Sequence, residues 1–600
     1  MAKVTGGTPL QRLSGRTLGV FLAWAGDNQW RRLILLLPIC VVLLTPGFWS
    51  HGPSDRDEAR FAQASKQMLE TGDFVDIRFQ EAPRHKKPAG VYWAQAASAS
   101  FFGGAEAPIW AYRIPSVLGA ILASLLTTWA VRPLVGARAA FLAGAMTAGL
   151  LLLNVEARIA KTDAALLACV VAAMGALARL WFSAKDDPQE RGWNVFYLWT
   201  AIGLGVLIKG PIILLPLGGA LLWLMLLERS RGGLKRIGWA WGLIWAALLA
   251  LPWFIAIAVR TDGAFFGASL GEDMIAKVSS GQEAHGAPPG YYLVAFWGTF
   301  WPWTALAALA IPWAWRWRRA PETAFLLGWI LPTWILFELV PTKLPHYVLP
   351  TYPAICALAA VALLDGAGRP KGWLFWIGAT LWALPAVALP VAFVLGPYLL
   401  EGEIVWEAAA LGAAALIVLS LAWRWLVAGV WIGFLRASLI GAALLYAGAF
   451  LYGIPSLSTV WISERLVALA APYRACEPEA AFGSAGYREP SLVFLGGTET
   501  RLLGAGEAAT FLASDKPALV WIEGRAEEEF QRDLAAAGIS ARVLAETDGF
   551  NYNRGKFRTF RLYARAGQAP DASDDVIDDA PASAPAEPPA EAPFARCPAT

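Results

Sequence analysis

The stretch Ile237-Gly-Trp-Ala-Trp-Gly-Leu-Ile-Trp-Ala-Ala-Leu-Leu-Ala-Leu-Pro-Trp-Phe-Ile-Ala-Ile-Ala258 contains no charged residue. About 20 mostly apolar residues are what an α-helix needs to cross a bilayer. Comparable stretches lie near 33–50, 109–131, 139–153, 164–183, 194–208, 211–227, 291–315, 322–340, 344–364, 373–398, 404–423 and 430–453. With 237–258 they predict a polytopic α-helical membrane protein of about thirteen spans.

The composition agrees. Hydrophobic residues make up 57% and charged residues 16% of the 600, against ~45–50% and ~25% in soluble chains. There are 31 tryptophans, and the mean hydropathy is +0.48. Roughly four soluble domains of ~150 residues, the other way to divide such a length, are thereby excluded. The net charge of +3 leaves no basic surplus for nucleic acid, so none is expected as a partner.

Basic residues set the sides by the positive-inside rule. Lys3, Arg12, Arg16, Arg31 and Arg32 place the segment 1–32 in the cytoplasm. This segment reads as the start of an uncleaved anchor, since no A-x-A cleavage site follows. Counting crossings from there, the clusters at Arg132 and Arg138, Lys185 to Arg191, Arg229 to Arg236, Arg316 to Arg319, and Arg369 with Lys371 all fall inside. The count requires 89–102 to lie along the interface. The loop 51–108, the turns at 154–163, 209–210 and 341–343, the loop 260–290 and the chain after Ile454 then face outward.

The membrane body is expected over 33–453, followed by a small outer α/β domain over 454–566. Leu492-Val-Phe-Leu, Ala518-Leu-Val-Trp-Ile and Phe557-Arg-Thr-Phe-Arg-Leu-Tyr read as strands, and Glu527 to Ala537 as an amphipathic helix. The acidic, Ala/Pro-rich tail 567–600 reads as disordered. Cys40, Cys169 and Cys356 lie in apolar runs as small core residues. Cys476 and Cys597 can pair only in an oxidising compartment.

Most suggestive polar residues fall on the outer side. Asp57 and Glu58 open a helical pattern, where carboxylates stabilise the helix dipole or serve as catalytic groups. Lys86 and Lys87 precede Pro88 and the aromatic pair Tyr92 and Trp93. They read either as membrane anchors or as cations for a phosphate. The turns carry Glu156, Arg158 and Asp163, then Lys209, then Lys343 with His346 and Tyr347. Ionisable groups at membrane depth are functional candidates, because burying them without partners is costly. Cations and carboxylates collected on one face point to a phosphate-bearing ligand. All four histidines, His51, His85, His285 and His346, lie on that side. No cofactor is otherwise indicated, and a divalent metal held by these histidines is left open.

Five of these segments, in this order, resemble the family 39 glycosyltransferases of the GT-C superfamily. The match is nearest to bacterial enzymes that move 4-amino-4-deoxy-L-arabinose from undecaprenyl phosphate to lipid A; protein O-mannosyltransferases are more distant. The motifs stand here as Asp57-Glu58-Ala59-Arg60-Phe61, Lys86-Lys87-Pro88…Tyr92-Trp93, Ala157-Arg158…Asp163, Lys209-Gly210-Pro211 and Lys343-Leu344-Pro345-His346-Tyr347-Val348-Leu349-Pro350. The chain departs from the family at Lys86, where a Glu is usual, and at Phe61, where a Tyr is usual. In the loop before 291 the family's Glu-His…Arg reads Glu272-Asp273…Lys277, with His285 retained.

The resemblance implies an integral membrane glycosyltransferase of the bacterial inner membrane, with a polyprenyl-phosphate sugar donor and lipid A, or an envelope glycan or protein, as acceptor. It implies Asp57, Glu58 and Lys87 as catalytic residues, and Arg60, Lys86, Arg158, Lys209 and Lys343 around the donor phosphate. Tyr92, Asp163, His285, His346 and Tyr347 would line the substrate pocket. A lipid-linked sugar transporter is the rival outside enzymes. Such proteins carry internal repeats and mid-membrane charges, and neither is evident here.

Overall fold

The computed structural model describes residues 28–182, 187–228, 232–269, 286–365, 372–514, 516–552 and 554–566, with Val20, Trp24 and Gly271. The chain divides into two compact units. One comprises the residues up to His51 and Ala64–Ser456. The other joins Gly52–Gln63 to the chain from Leu457 onward.

The first unit is helical. Its main elements are α1 (Gln29–Leu44), most of α2 (Asp57–Thr71), α3 (Gly90–Ser100), α4 (Ile109–Gly149), α5 (Leu151–Ala157), α6 (Asp163–Phe182), α7 (Pro188–Lys209), α8 (Leu214–Glu228) and α9 (Trp239–Arg260). They continue as α10 (Tyr291–Thr299), α11 (Thr304–Arg316), α12 (Pro321–Leu339), α13 (Tyr352–Leu364), α14 (Trp373–Glu401), α15 (Trp406–Ala428) and α16 (Trp431–Ala447). Between α2 and α3 the strands β1 (Arg78–Phe79) and β2 (Ala82–Pro83) form a short antiparallel hairpin.

Nine helices among the described residues are long and apolar enough to cross a membrane. Two of the nine are composite. The 41 residues of α4 would run ~60 Å at 1.5 Å per residue, twice the hydrocarbon thickness. The chain breaks at Gly136, whose φ of 76° is left-handed. The apolar stretch Pro188–Leu226 likewise breaks at Gly210, with φ 71°. All thirteen expected segments overlap helix, but α1 has only 16 residues and the segment 291–315 divides into α10 and α11. The structure therefore supports a multi-pass membrane fold without fixing thirteen crossings. The expected interfacial segment 89–102 is α3.

Apolar faces left uncovered mark the lipid side. On α9, Trp241, Leu248, Ile255 and Val259 are all more than half exposed, a patch that water would not tolerate on a soluble chain. Inside, α4 and α6 pack through small residues. A Cβ on Gly119 would lie 2.7 Å from the backbone nitrogen of Ala165. Such close approach is what van der Waals packing between membrane helices requires.

The second unit is α/β. It contains α17 (Ile462–Cys476), β3 (Ala481–Ala485), α18 (Pro490–Gly496), β4 (Arg501–Leu503), α19 (Ala505–Leu512), β5 (Ala518–Glu523), α20 (Glu527–Ala536), β6 (Ala541–Asn551) and β7 (Lys556–Arg565). The sheet order is β4-β3-β5-β7-β6, with β3 parallel to both β4 and β5 and β7 antiparallel to β5 and β6. Strand β5 is buried along its whole length, which explains its unbroken apolar run.

Leu492-Val-Phe-Leu is helical, not a strand. Pro490 at the first turn of α18 has its φ preset for a helix start, and four apolar residues cannot reveal their period. The other two expected strands and the helix near 527–537 are present. Cys40, Cys169 and Cys356 are free, whereas Cys476 is disulfide-bonded. Its expected partner Cys597 and the tail 567–600 lie outside the described residues.

Candidate functional site

In the membrane unit, four ionisable side chains meet where three chain turns converge. Glu156 stands on the last turn of α5 and Asp163 is the first residue of α6. Lys209 ends α7, where a cation complements the helix dipole, and Gly210 turns the chain away. His346 lies on the 3₁₀ turn Pro345–Thr351, which contains two prolines. All four are buried.

Lys209 Nζ donates to Asp163 Oδ1 in a short ion pair. The His346 ring lies between the carboxylates, with Nδ1 3.3 Å from Glu156 Oε1 and Nε2 3.8 Å from Asp163 Oδ1. Tyr347 packs its ring edge-on to His346 at 5.2 Å, and the Lys209 ammonium sits 5.7 Å from the centre of the Tyr347 ring. Glu156 Oε2 is buried and finds no hydrogen-bond partner among the described residues.

Glu156, Asp163 and His346 place ligand atoms within 4.8 Å of one another, the one such group among the described residues. Their arrangement suits a bridging imidazole better than a chelated ion. The ring presents a different nitrogen to each carboxylate, and a Lys ammonium already occupies Asp163. A metal needs one nitrogen and both carboxylates directed at a common point. The set is two carboxylates with an imidazole between them and an ammonium paired to one.

The Lys86-Lys87-Pro88 segment joins the β1–β2 hairpin to α3. The hairpin before it is tied by His85 Nε2 to Asp76 at 2.9 Å, and Arg84 Nε donates to the Tyr92 hydroxyl at 3.2 Å. Gly90 then seats α3 on the end of α7. A Cβ there would lie 2.8 Å from the Leu207 carbonyl oxygen, two residues before Lys209. Lys87 is half-buried and Lys86 exposed. Tyr92 is fully buried as a partner of Arg84, a bracing position and not a pocket wall.

Two expected phosphate ligands are committed elsewhere. Arg158 donates from Nε to Pro46, from Nη1 to Asn154 and from Nη2 to Leu43, all backbone carbonyls. Its guanidinium also stacks over Phe450 at 4.3 Å. All three nitrogens tie the end of α1 to α5, leaving no fork for an anion. Lys343 Nζ donates to the carbonyls of Phe337, Glu338 and Val340, capping α12 at its negative end. His285 lies outside the described residues, as do Glu272, Asp273 and Lys277.

In the second unit, the loop into α2 is tightly held. Glu58 Oε2 accepts from both the backbone nitrogen and the hydroxyl of Ser54, each at 2.8 Å. Glu58 is thus a buried brace of this loop. Asp57 and Arg60 are half-buried. Arg56 adopts a left-handed φ of 66°, uncommon for a residue with a side chain, immediately before Asp57. Asp55 Oδ1 accepts from the Ser491 and Tyr487 hydroxyls, while its backbone N–H donates to Tyr552 Oη at 2.7 Å. Sequence reasoning passed over Asp55 and its partners, because no local pattern links residues more than 400 positions apart.

Residues 52–263 match the family model described as dolichyl-phosphate-mannose-protein mannosyltransferase. An undecaprenyl phosphate-alpha-4-amino-4-deoxy-L-arabinose arabinosyl transferase of Enterobacter sp. (strain 638) is 28% identical over 376 residues, 61% of this chain and 65% of that protein. A relative so named from Pseudomonas fluorescens is 30% identical over 382 residues, covering 63% and 64%. The chain thus spans less than two thirds, 54–65%, of the length of the curated relatives it matches. The crystal structure of ArnT from Cupriavidus metallidurans bound to undecaprenyl phosphate superposes with a TM-score of 0.71 at 21% identity. That match covers 88% of this chain and 97% of that one. The GT-C resemblance read from the five motifs is borne out, and the fold is that of the ArnT structure.

Proposed function

We propose that this protein is an integral membrane glycosyltransferase. It moves a sugar from a polyprenyl phosphate, of the undecaprenyl type, to an envelope acceptor such as lipid A. The reading rests above all on the buried Glu156, Asp163, Lys209 and His346 cluster at the ends of membrane helices. Uncompensated charge is expensive there, and the Lys86-Lys87 segment is packed against the same helix end through Gly90 and Leu207. The relatives are named as undecaprenyl phosphate-linked aminoarabinose transferases, which favours the same donor class.

The donor's tail has an apolar bed available. A cleft of about 860 Å³ is walled by residues including Trp223, Phe296, Trp297, Leu331 and Trp334. We assign the donor phosphate to Lys87, with Arg60, Lys86 and Lys209 as further cations, and the acceptor to Asp57. The acceptor oxygen attacks the anomeric carbon as the bond from that carbon to the phosphate oxygen breaks. The leaving polyprenyl phosphate takes the electron pair, and cations stabilise its growing charge. A hydroxyl acceptor passes its proton to Asp57; a phosphate acceptor is already nucleophilic and needs only positioning. Direct displacement inverts the anomeric centre. Retention in the product would exclude that step.

The orientation in this reading puts the N-terminus in the cytoplasm and the C-terminal α/β domain in the periplasm, about thirteen crossings of the inner membrane apart. The Cys476 disulfide favours it, since such bonds persist in oxidising compartments. The family model's description favours a second reading, transfer of a hexose to protein. Lys86 in place of Glu adds positive charge next to Lys87, which suits an anionic acceptor and so favours lipid A. Mass spectrometry of envelope lipids and glycoproteins from cells with and without the protein decides between them. Loss of a pentosamine mass from lipid A is the expected result. Unchanged lipid A with hexose lost from envelope proteins would move the acceptor to the second reading.

A further inference from the structure

We infer that the C-terminal α/β domain is a positioning device for the acidic loop, and that Asp55 is the residue through which it acts on Asp57. The loop Gly52–Gln63 belongs to the same compact unit as the chain from Leu457 onward, although about 400 residues separate them in sequence. Three points along this short segment are held. At its start, Gly52 lies against Glu464 of α17, where a Cβ would come within 2.7 Å of the carboxylate carbon. At its end, Gln63 Nε2 donates to Thr498 Oγ1 at 2.7 Å.

Between them, Asp55 is held through both its backbone and its side chain. Tyr552, just after β6, receives the backbone N–H at 2.7 Å. Ser491 and Tyr487 donate to the carboxylate. These donors are themselves fixed by Ser463 of α17, whose hydroxyl is 2.9 Å from Tyr487 Oη and 2.7 Å from Ser491 Oγ. The Tyr487 ring packs on Phe560 of β7. The hold therefore runs from the central sheet to Asp55.

The next residue shows what the hold maintains. Arg56 is left-handed, a conformation that costs free energy and persists only where the surroundings over-determine it. It turns the chain directly into Asp57, the first residue of α2. Without the hold on Asp55, the Arg56 turn is free to relax and Asp57 moves with it. Glu489, Tyr487 and Tyr552 are the titratable groups facing Asp55, and burial with the Glu489 charge raises its carboxyl to about 7. The state of the hold thus varies with pH near neutrality.

The catalytic consequence rests on the proposed role of Asp57, whereas the hold itself does not. The test therefore reads both, on full-length protein in lipid nanodiscs. The Tyr552→Phe/Ser491→Ala double variant is expected to raise deuterium exchange at amides 55–60 by roughly tenfold or more. Exchange in β5 and β7 should stay unchanged. With undecaprenyl phosphate-linked aminoarabinose and lipid A as probes, kcat should fall roughly tenfold at constant donor KM. Asp55→Asn, which keeps the shape, should hold the loop and flatten the pH profile near neutrality. Unchanged exchange at 55–60 in the double variant would overturn the inference, as would raised exchange with full turnover. Raised exchange in a protein that transfers no sugar even as wild type would support the hold and sink the proposed function instead.

Discussion

Lys209 and Asp163, 46 residues apart in sequence, form a buried ion pair at the ends of two membrane helices, and His346 Nε2 lies 3.8 Å from the same Asp163 oxygen. Removing one member of such a pair leaves an uncompensated charge, at a cost of about 3–5 kcal/mol. Lys209→Met and Asp163→Asn should each lower the thermal unfolding midpoint in nanodiscs markedly. The double variant should cost less than the sum of the two. Additive losses would show that the pair is not coupled and that its members serve other partners.

The proposed chemistry separates from stability at two other residues. Asp57→Asn and Lys87→Ala should leave the protein inserted and folded while reducing transfer by about 10²-fold or more. In vitro turnover with a hydroxyl or phosphate acceptor reads this directly. Normal turnover in both variants would end the assignment.

Lys343 makes the opposite case. Its ammonium caps three carbonyls at the end of α12, so Lys343→Met should destabilise by about 1–3 kcal/mol. Donor KM should not change. A raised donor KM at unchanged stability would return Lys343 to the phosphate site.

Gly90 tests how the Lys87 segment is placed. Any side chain there meets the Leu207 carbonyl, within 2.8 Å for the Cβ alone, and overpacking of this kind costs about 1–3 kcal/mol. Gly90→Val should reduce turnover more than it reduces stability, because it moves α3 relative to Lys209. Turnover equal to wild type would mean that the two cations do not act together.

Asp55 supplies a pH dependence with a definite sign. Its carboxyl is raised from an ordinary 3.8 to about 7, first by burial and then by the Glu489 charge. The folded state therefore holds the proton more tightly than the unfolded chain. The resulting stabilisation is complete below about pH 4 and is lost as pH rises through about 7. Unfolding of wild type against Asp55→Asn across that range should show wild type losing ground with rising pH. A difference independent of pH would mean that Asp55 does not titrate there.

Much of the architecture was legible in the residues. Hydropathy located the long apolar helices of the membrane unit, because lipid demands long uninterrupted apolar runs whatever the topology. The polar turns stood out for the same reason, since a charge at membrane depth has few innocent explanations. That argument could not rank the cations. Lys87, Arg158, Lys209 and Lys343 look alike as basic residues at apolar boundaries, yet Arg158 and Lys343 spend their donors on backbone carbonyls. Glu58 beside Asp57 was likewise indistinguishable from it until Ser54 was seen to claim its carboxylate.

What the residues alone decide about this protein is therefore its solvent and its inventory: a lipid-embedded helical body, five polar motifs in a recognisable order, and an α/β domain after the last apolar run. Which side chains meet is decided only in three dimensions. The pairing of Glu156 and Asp163 with His346, and of Asp55 with Tyr487, Ser491 and Tyr552, joins positions up to 497 residues apart. Hydropathy and helical periodicity act over one or a few turns of chain. Contacts of that separation arise from packing, and packing exists only once the chain has folded.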